Sequence, residues 1–324
     1  MKTRGWRRLM CMTDRLLHLD ARRDAPYDAV IVGGGPAGLS AALVLGRARK
    51  RVLVVDDERP ANAASQGVGG LLGQDRVKPA DLRESGRRQL EQHADVEFRR
   101  GAVEDAEKIP GGFVVRASGG PPVRAHAIVL AHGLRYDPPP LRGIEALWGR
   151  SVFHCAFCDG WEVRDRPLAF HGSGPRAVRS ALVLAGWSDD VVLCTDGAPD
   201  PGDPLLAAAG VRVRTEPIAR LAGNDGRLEK IEFTHGPAER REALFVNTRR
   251  DQPNGLAAAL GCEPTAAGTI VTDADGRTNV AGVFAAGDAA TAHSRSVANA
   301  IGTGSRVAYA VALERLAPVA AAAA

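Results

Sequence analysis

A glycine-rich turn between a short apolar strand and a helix constrains the fold of this chain more than any other feature. The turn has the spacing Gly33-x-Gly35-x-x-Gly38. It follows the apolar run 28–32 and precedes a helix that the hydrophobic pattern predicts over 39–49. Such glycines permit a tight turn, close approach of the backbone to a pyrophosphate and close packing of the helix on the strand. The spacing therefore predicts the start of a dinucleotide-binding βαβ unit.

The predicted unit continues into a second strand, 51–55, which ends at Asp56. An acidic side chain at this position is placed to bind ribose hydroxyls of a dinucleotide. Pro36 and Ala37 lie at the helix start, where unpaired N–H groups and the positive end of the dipole hold phosphates. Strand, helix, second strand and terminal acid together favour a nucleotide site over a structural glycine turn.

A second glycine motif lies in the middle of the chain. Its spacing, Gly172-x-Gly174-x-x-Ala177, has the alanine that the dinucleotide fingerprint permits at the third position. It lies between a predicted strand, 167–171, and a predicted helix, 178–187. Two such units in 324 residues predict an α/β fold with two Rossmann-like, three-layer nucleotide-binding domains.

The remaining elements indicate how the two domains share the chain. The run 244–246 is predicted as a strand that returns from the second domain. A strand and turn at 282–288 and a final helix over 297–313 are assigned to the first domain, which makes that domain discontinuous in sequence. The predicted organisation is a flexible N-terminal extension (1–26), a first nucleotide-binding domain in two segments (27–137 and 253–324) and a second domain (138–252).

Composition excludes several classes of function. The basic residues are spread along the chain instead of forming a patch with interleaved aromatics, which argues against nucleic-acid binding. No apolar run approaches the roughly 20 residues that a membrane-spanning helix needs. Five cysteines are too few for a disulfide scaffold. We therefore expect a cytoplasmic protein with neither nucleic-acid nor membrane partners.

The most reactive segment of the sequence is a Cys-x-x-Cys pair, Cys155 and Cys158, between the two glycine motifs. Such a pair is either a redox dithiol or half of a zinc site. A zinc site would need a second ligand pair, and the other cysteines are isolated single residues: Cys11, Cys194 and Cys262. The pattern predicts thiol–disulfide exchange and no metal, since one thiolate can form while its neighbour resolves the mixed disulfide.

Two neighbours of the pair are candidates for proton chemistry. Asp159 follows Cys158 directly and could exchange a proton with a leaving thiol, the alternative being a simple Asp-Gly turn. His154 precedes Cys155 and could lower the pKa of a thiolate, the alternative being a structural histidine.

Four motifs occur in a specific order along the chain: GGGPAGLSAA at 33–42, CAFCDG at 155–160, GVFAAGD at 282–288, and RSV with GTG between 295 and 304. In these motifs the chain, over 28–316, resembles the low-molecular-weight thioredoxin reductases and their relatives among the FAD-dependent pyridine nucleotide–disulfide oxidoreductases. The resemblance implies that Cys158 lies nearest the flavin, that Cys155 exchanges with the substrate and that Asp159 serves acid–base chemistry. It also implies a homodimer.

The same resemblance implies where FAD is held. The first glycine motif would bind the pyrophosphate. Asp288, preceded by Gly287, would hydrogen bond the ribityl chain. The start of the final helix would lie near the isoalloxazine, and its candidate residues are Arg295, Ser296 and Val297.

The second nucleotide site departs from the family pattern. Members that use NADPH carry a basic cluster after the strand that follows the second glycine motif, where it grips the 2′-phosphate. The corresponding segment here, 194–203, holds Asp196, Asp200 and Asp203 and no arginine, and this would repel a phosphate. NADPH is therefore disfavoured. Asp196 would accept from the free ribose hydroxyl of NADH, or the nicotinamide site is vestigial.

The segment 155–162, with Phe157 between the cysteines and Trp161-Glu162 after the glycine, is similar to one branch of the family. This branch holds the dithiol oxidases of natural-product pathways, such as those that close the disulfides of gliotoxin, holomycin and romidepsin. We therefore expect an FAD-dependent oxidase of a small-molecule dithiol that passes electrons to O2 and releases H2O2. Two alternatives stay open: a reductase of thioredoxin or a similar protein that uses NADH, NADPH or ferredoxin, and a non-catalytic flavin redox sensor.

Overall fold

The computed structural model describes residues 25–291 and 294–314. Most of the predicted N-terminal extension lies outside the described residues. No helix in the described part of the chain combines the length and the apolar character that a bilayer crossing requires.

The described chain contains segments in which strands and helices alternate and two longer runs of consecutive strands. The strands are β1 (Tyr27–Val32), β2 (Val52–Asp56), β3 (Val96–Arg100), β4 (Val103–Ile109), β5 (Gly112–Ala117), β6 (Val123–Leu130), β7 (Arg135–Asp137), β8 (Val152–Phe153), β9 (Leu168–His171), β10 (Val191–Cys194), β11 (Arg212–Arg214), β12 (Ile218–Asn224), β13 (Arg227–Phe233), β14 (Glu239–Arg240), β15 (Ala243–Val246), β16 (Arg249–Asp251) and β17 (Val283–Ala285). The α-helices are α1 (Pro36–Arg47), α2 (Pro79–Leu90), α3 (Ile144–Leu147), α4 (Ala156–Asp159), α5 (Gly174–Leu184), α6 (Pro204–Ala208), α7 (Leu256–Ala259) and α8 (Val297–Glu314).

The first glycine motif lies in a sheet with the strand order β3-β2-β1-β6-β5-β4, and β17 pairs with β6. Strands β3, β2, β1, β6 and β17 are parallel, whereas β4 and β5 form an antiparallel extension. Alternate residues of the central strands pack on opposite faces: Val30 belongs to one apolar layer and Ile31 to the other. Burial on both faces explains why these strands are almost continuously apolar.

The last helix of the described chain packs on the first one. A Cβ on Gly304 of α8 would lie 2.1 Å from the Ala37 carbonyl oxygen of α1. The Ser40 hydroxyl of α1 also donates to the Ile301 carbonyl oxygen of α8 at 2.8 Å. Residues near both ends of the described chain therefore complete the same layered unit.

The second glycine motif lies in a separate parallel sheet with the order β11-β10-β9-β15-β8. The predicted α/β fold with two Rossmann-like units is therefore confirmed. The strand predicted at 244–246 is present as β15, and it pairs with both β9 and β8 inside this sheet. Its four residues are all buried, as expected of a central parallel strand. The return is made by β16, which pairs antiparallel with β7.

Two predicted helices begin earlier than the hydrophobic pattern indicates. The structure starts α1 at Pro36 and α5 at Gly174, within the glycine motifs themselves. Proline is compatible with the first turn of a helix because its missing N–H has no intrahelical partner there. The glycine turn consequently leads directly into each helix.

Candidate active site

The first glycine loop is closely packed on one side and open on the other. Gly33 has a φ of +104°, and a Cβ on Gly38 would lie 1.9 Å from the Gly33 carbonyl oxygen. No atom lies within 4 Å of the position that a Cβ on Gly35 would take. No side chain among the described residues caps the N-terminus of α1. Space and unpaired N–H groups thus coincide at this loop, which fits the pyrophosphate of a dinucleotide such as FAD.

Asp56 lies at the end of β2, as predicted, and contacts the same loop. A Cβ on Gly34 would lie 2.7 Å from an Asp56 carboxylate oxygen. The sequence did not indicate its partner: Arg87 of α2 donates to Oδ2 of Asp56 at 2.8 Å. The Glu58 amide donates to the other oxygen at 3.3 Å. Ribose binding by Asp56 stays a prediction, and Arg87 is the residue that orients its carboxylate.

Asp288 lies in the turn that follows β17. The Tyr136 hydroxyl donates to its Oδ2 at 2.7 Å, and burial raises the pKa values of both side chains. Gly287, with a φ of +67°, precedes it and donates its N–H to the Thr303 hydroxyl of α8 at 3.0 Å. The carboxylate is therefore held between the two segments of the predicted first domain. A half-buried carboxylate beside a phenol suits a hydroxyl-rich ligand, as the FAD ribityl chain is.

The predicted residues at the start of α8 have different surroundings. The Ser296 hydroxyl accepts from the Asn299 amide at 3.1 Å, which stabilises the first turn of the helix. Val297 is the first residue of the helix. Arg295 is half-buried, and its Nε has no hydrogen-bond partner among the residues described. Contact of these three residues with a flavin stays a prediction.

Cys155 and Cys158 form a disulfide bond. Cys155 precedes the short helix α4, whose last turn brings the Asp159 amide to the Cys155 carbonyl oxygen at 3.2 Å. A Cβ on Gly69 would lie only 2.3 Å from the Cys158 carbonyl oxygen. Because Gly69 follows β2 in the first unit, the pair is docked on that unit through its Cys158 end. In the described ranges, no group of three or more His, Cys, Asp or Glu side chains is arranged to hold a metal ion.

Asp159 combines burial with a position beside the disulfide. Burial raises its pKa to about 7, against the opposing charge of Arg76. Arg76 itself pairs with Glu162 at 3.2 Å, between Nε and Oε1. The carboxyl can therefore hold or release a proton near neutral pH, as acid–base chemistry at a thiol requires. Arg76 and Glu162 are site residues that sequence reasoning missed, because their pairing joins distant parts of the chain.

His154 does not have the surroundings of a cationic partner for a thiolate. Its ring lies 4.7 Å from the Tyr136 ring and 6.0 Å from the Trp148 ring, between centroids. The residue keeps an exposed surface, and desolvation of its ring together with the charges of Arg250 and Arg295 lowers its pKa to about 4. A neutral imidazole offers no positive charge at neutral pH. The structure therefore favours the alternative of a structural histidine over the predicted effect on thiolate pKa.

The second nucleotide site is arranged around acidic groups. Asp196 has a φ of +53° and accepts from the Ile218 amide at 2.7 Å, while its other oxygen lies 3.2 Å from Nε2 of His171. The neighbouring guanidinium groups are paired with one carboxylate, Glu239, at distances from 2.8 to 3.1 Å: Arg212, Arg214 and Arg241. These three hydrogen-bonded arginines hold the pKa of Glu239 at about 2 despite its partial burial. Their charges are already compensated and are not available for a 2′-phosphate.

Comparison with known proteins shows that the similarity to this family covers most of the chain and is not limited to single motifs. The family described as pyridine nucleotide-disulphide oxidoreductase matches residues 27–304. Thioredoxin reductase tcpT of Claviceps purpurea (strain 20.1) is 32% identical over 291 residues, which cover 86% of this chain and 90% of the relative. The crystal structure of HlmI is 39% identical with a TM-score of 0.86, covering 92% of this chain and 95% of that one. An oxidoreductase from Agrobacterium tumefaciens is 35% identical with a TM-score of 0.84, covering 91% of this chain and 100% of that one. The family match spans both glycine motifs and the disulfide.

Proposed function

This chain belongs to the pyridine nucleotide–disulphide oxidoreductase family, and from this premise we propose that it is an FAD-dependent oxidase of a small-molecule dithiol. The overall reaction converts the dithiol and O2 into the cyclic disulfide and H2O2. One observation carries the proposal: a disulfide docked on the first nucleotide unit, next to an aspartic acid whose pKa is raised by burial to about 7.

The backbones of the two cysteines have different surroundings, and this supports different roles. Cys158 is held against Gly69 by its own carbonyl group. We assign to Cys155 the attack by a substrate thiolate, which breaks the bond to Cys158 and forms a mixed disulfide. The second substrate thiol then attacks the substrate sulfur of that mixed disulfide, which closes the cyclic product and releases Cys155 as a thiol. Asp159 can accept and return protons during these exchanges.

FAD fits the residues of the first unit, namely the glycine loop from Gly33 to Gly38 and the Asp288–Tyr136 pair. Bound there, it would supply the two-electron oxidation that regenerates the enzyme disulfide and the reaction with O2. The protein's own contribution is the position of the cysteine pair and the handling of protons by Asp159.

The electrostatics of the second site favour oxidation over NADPH-driven reduction. A 2′-phosphate would meet Asp196, while Arg212, Arg214 and Arg241 are bound to Glu239. Binding a phosphate beside the Asp196 carboxylate is unfavourable because like charges repel and phosphate oxygens are left without donors.

A disulfide reductase is the second candidate. The observation in its favour is that the second glycine motif retains the geometry of a nucleotide loop, with φ values of +151° at Gly172 and +73° at Gly174. The relative from Claviceps purpurea also carries the name thioredoxin reductase. The redox-sensor alternative has no separate observation in its support.

Anaerobic stopped-flow spectroscopy separates these candidates. The oxidised holoenzyme is mixed with a small dithiol, with NADPH or with NADH, and flavin absorbance is followed before air is readmitted. We expect rapid, saturable bleaching by dithiol alone, followed in air by repeated turnover with consumption of O2 and accumulation of H2O2. Bleaching by micromolar NADPH with steady reduction of thioredoxin would instead establish the reductase. Cys155→Ser serves as the control for reduction that bypasses the disulfide.

A further inference from the structure

A basic cleft of about 570 Å³ lies where β16, the second glycine motif and the start of α8 meet. We call it the arginine cleft, and its lining residues are Arg176, Thr248, Arg249, Arg250, Ala267 and Arg295. The four arginines come from three separate segments of the chain. The fold thus concentrates positive charge in one concave place.

Among the described residues most of this charge has no ion-pair partner, although the Asp288 carboxylate interacts electrostatically with Arg250 and Arg295. Arg249 is paired with Asp137 at 2.7 Å and with Asp251 at 3.2 Å. Within residues 25–291 and 294–314, by contrast, no carboxylate forms an ion pair with Arg176, Arg250 or Arg295. Burial and the neighbouring charges of Arg295 and Arg176 hold the pKa of Arg250 below its usual value.

Convergent guanidinium groups that are not ion-paired with a carboxylate are characteristic of a site for an anionic ligand. Each repels its neighbours, and a bound carboxylate or phosphate relieves this repulsion while accepting charge-assisted hydrogen bonds. The cleft also has the volume of a small-molecule site. Arg240, an exposed arginine elsewhere in the chain, is by contrast paired with Glu242 at 3.2 Å.

The cleft lies beside the thiol-exchange site. Arg250 and Arg295 both lower the pKa of His154, the residue directly before Cys155. A ligand anion held by these guanidinium groups would therefore lie close to the residue that precedes the cysteine pair.

We propose that the arginine cleft binds a carboxylate or phosphate group carried by the dithiol substrate, so that the enzyme acts on small anionic dithiols. This inference rests on the proposed function. The pyrophosphate of a nicotinamide dinucleotide is the competing source of the same anionic chemistry, and the experiment must separate the two.

Lipoate and lipoamide form a matched pair of probes, because they share the cyclic disulfide and differ only in a carboxylate against a neutral amide. Their binding to the oxidised, FAD-loaded enzyme is measured by isothermal titration calorimetry, which requires no turnover. We expect lipoate to bind about tenfold more tightly than lipoamide, as a charge-assisted contact would give. Arg250→Gln and Arg176→Gln should each remove most of this preference, whereas the control Arg240→Gln, at an exposed ion pair, should keep it. Equal binding of both probes, no binding of lipoate, or a preference that Arg250→Gln leaves intact would overturn the proposal.

Two further measurements separate this inference from the proposed function. NADH is titrated into the same proteins, and a loss of NADH binding in Arg250→Gln without any loss of lipoate binding would assign the cleft to a dinucleotide and overturn the proposal. The reduced probes, dihydrolipoate and dihydrolipoamide, are then compared as flavin reductants. If neither reduces the flavin while lipoate binding still depends on Arg250, the oxidase assignment fails and the anion site stands. If both reduce it equally well in the native enzyme and in Arg250→Gln, the oxidase stands and the inference fails.

Discussion

Asp159 and His154 flank the same disulfide, yet their pKa values move in opposite directions for one main physical reason. Desolvation disfavours the charged form of each group, and the charges of Arg250 and Arg295 also disfavour a cationic His154, so the carboxyl pKa rises to about 7 and the imidazole pKa falls to about 4. Both groups consequently favour their neutral forms at pH 6. Only Asp159 carries a proton that it can exchange near neutral pH.

Asp159→Asn should therefore change both the pH profile and the stability. Its carboxyl has a pKa of 3.8 in the reference state and about 7 in the fold, so the unfolded chain loses this proton first as the pH rises. Folded-state stability thus falls across this window, and an asparagine removes the loss. We expect the variant to gain more in Tm over the native protein at pH 8 than at pH 5. Its rate of flavin reduction by dithiol should fall and should no longer titrate near pH 7. A Tm difference that is the same at both pH values would contradict the buried-carboxyl assignment.

The two cysteines should differ in their optical signatures. If Cys158 lies nearest the flavin, Cys155→Ser leaves a Cys158 thiolate that gives a long-wavelength charge-transfer band with oxidised FAD. Cys158→Ser should show no such band, and both variants should lose turnover. The reverse pattern in absorbance spectra would exchange the two roles.

At the scale of elements, substitutions at two glycines of the first loop should separate an effect on ligand binding from an effect on folding. Gly35 faces open space, whereas a Cβ on Gly38 would meet the Gly33 carbonyl oxygen at 1.9 Å. Gly35→Val should leave circular dichroism and apo-protein Tm nearly native but abolish the yellow colour, because its side chain fills the space for a pyrophosphate. Gly38→Ala should instead destabilise the fold itself, by about 1–3 kcal/mol or more. Native flavin content in Gly35→Val would refute the placement of FAD.

At the scale of the whole molecule, Gly69 is where the redox pair docks on the first nucleotide unit. A larger residue there must displace the Cys158 carbonyl group, which lies 2.3 Å from the position of the new Cβ. We expect Gly69→Val to keep FAD and to keep thiol exchange with substrate, while flavin reduction slows by at least about tenfold, since electron transfer needs the pair in place. Gly255→Ala is the control, because no atom lies within 4 Å of its Cβ position and its φ is −87°. An unaltered rate in Gly69→Val would show that this docked arrangement is not the one that reacts.

Several features of this protein follow from residues close together in the chain. The spacing Gly33-x-Gly35-x-x-Gly38 between a strand and a helix predicts the first βαβ unit, because turn geometry and helix start depend only on local backbone conformation. The same holds for the pairing of Cys155 with Cys158. The boundaries of the predicted domains, the homodimer and the dithiol partner stay predictions.

Other features were decided only by the tertiary structure. The apolar sequence of β15 by itself predicts a strand, but its neighbours β9 and β8 determine which sheet it joins. Three features depend on contacts between distant parts of the chain. They are the raised pKa of Asp159, the pairing of Arg87 with Asp56, and the convergence of Arg176, Arg250 and Arg295. Desolvation and Coulomb interactions depend on distances in space, whereas a motif records only distances along the sequence. The amino-acid sequence therefore determined the nucleotide-binding framework and the redox pair, and folding decided the charges that surround them.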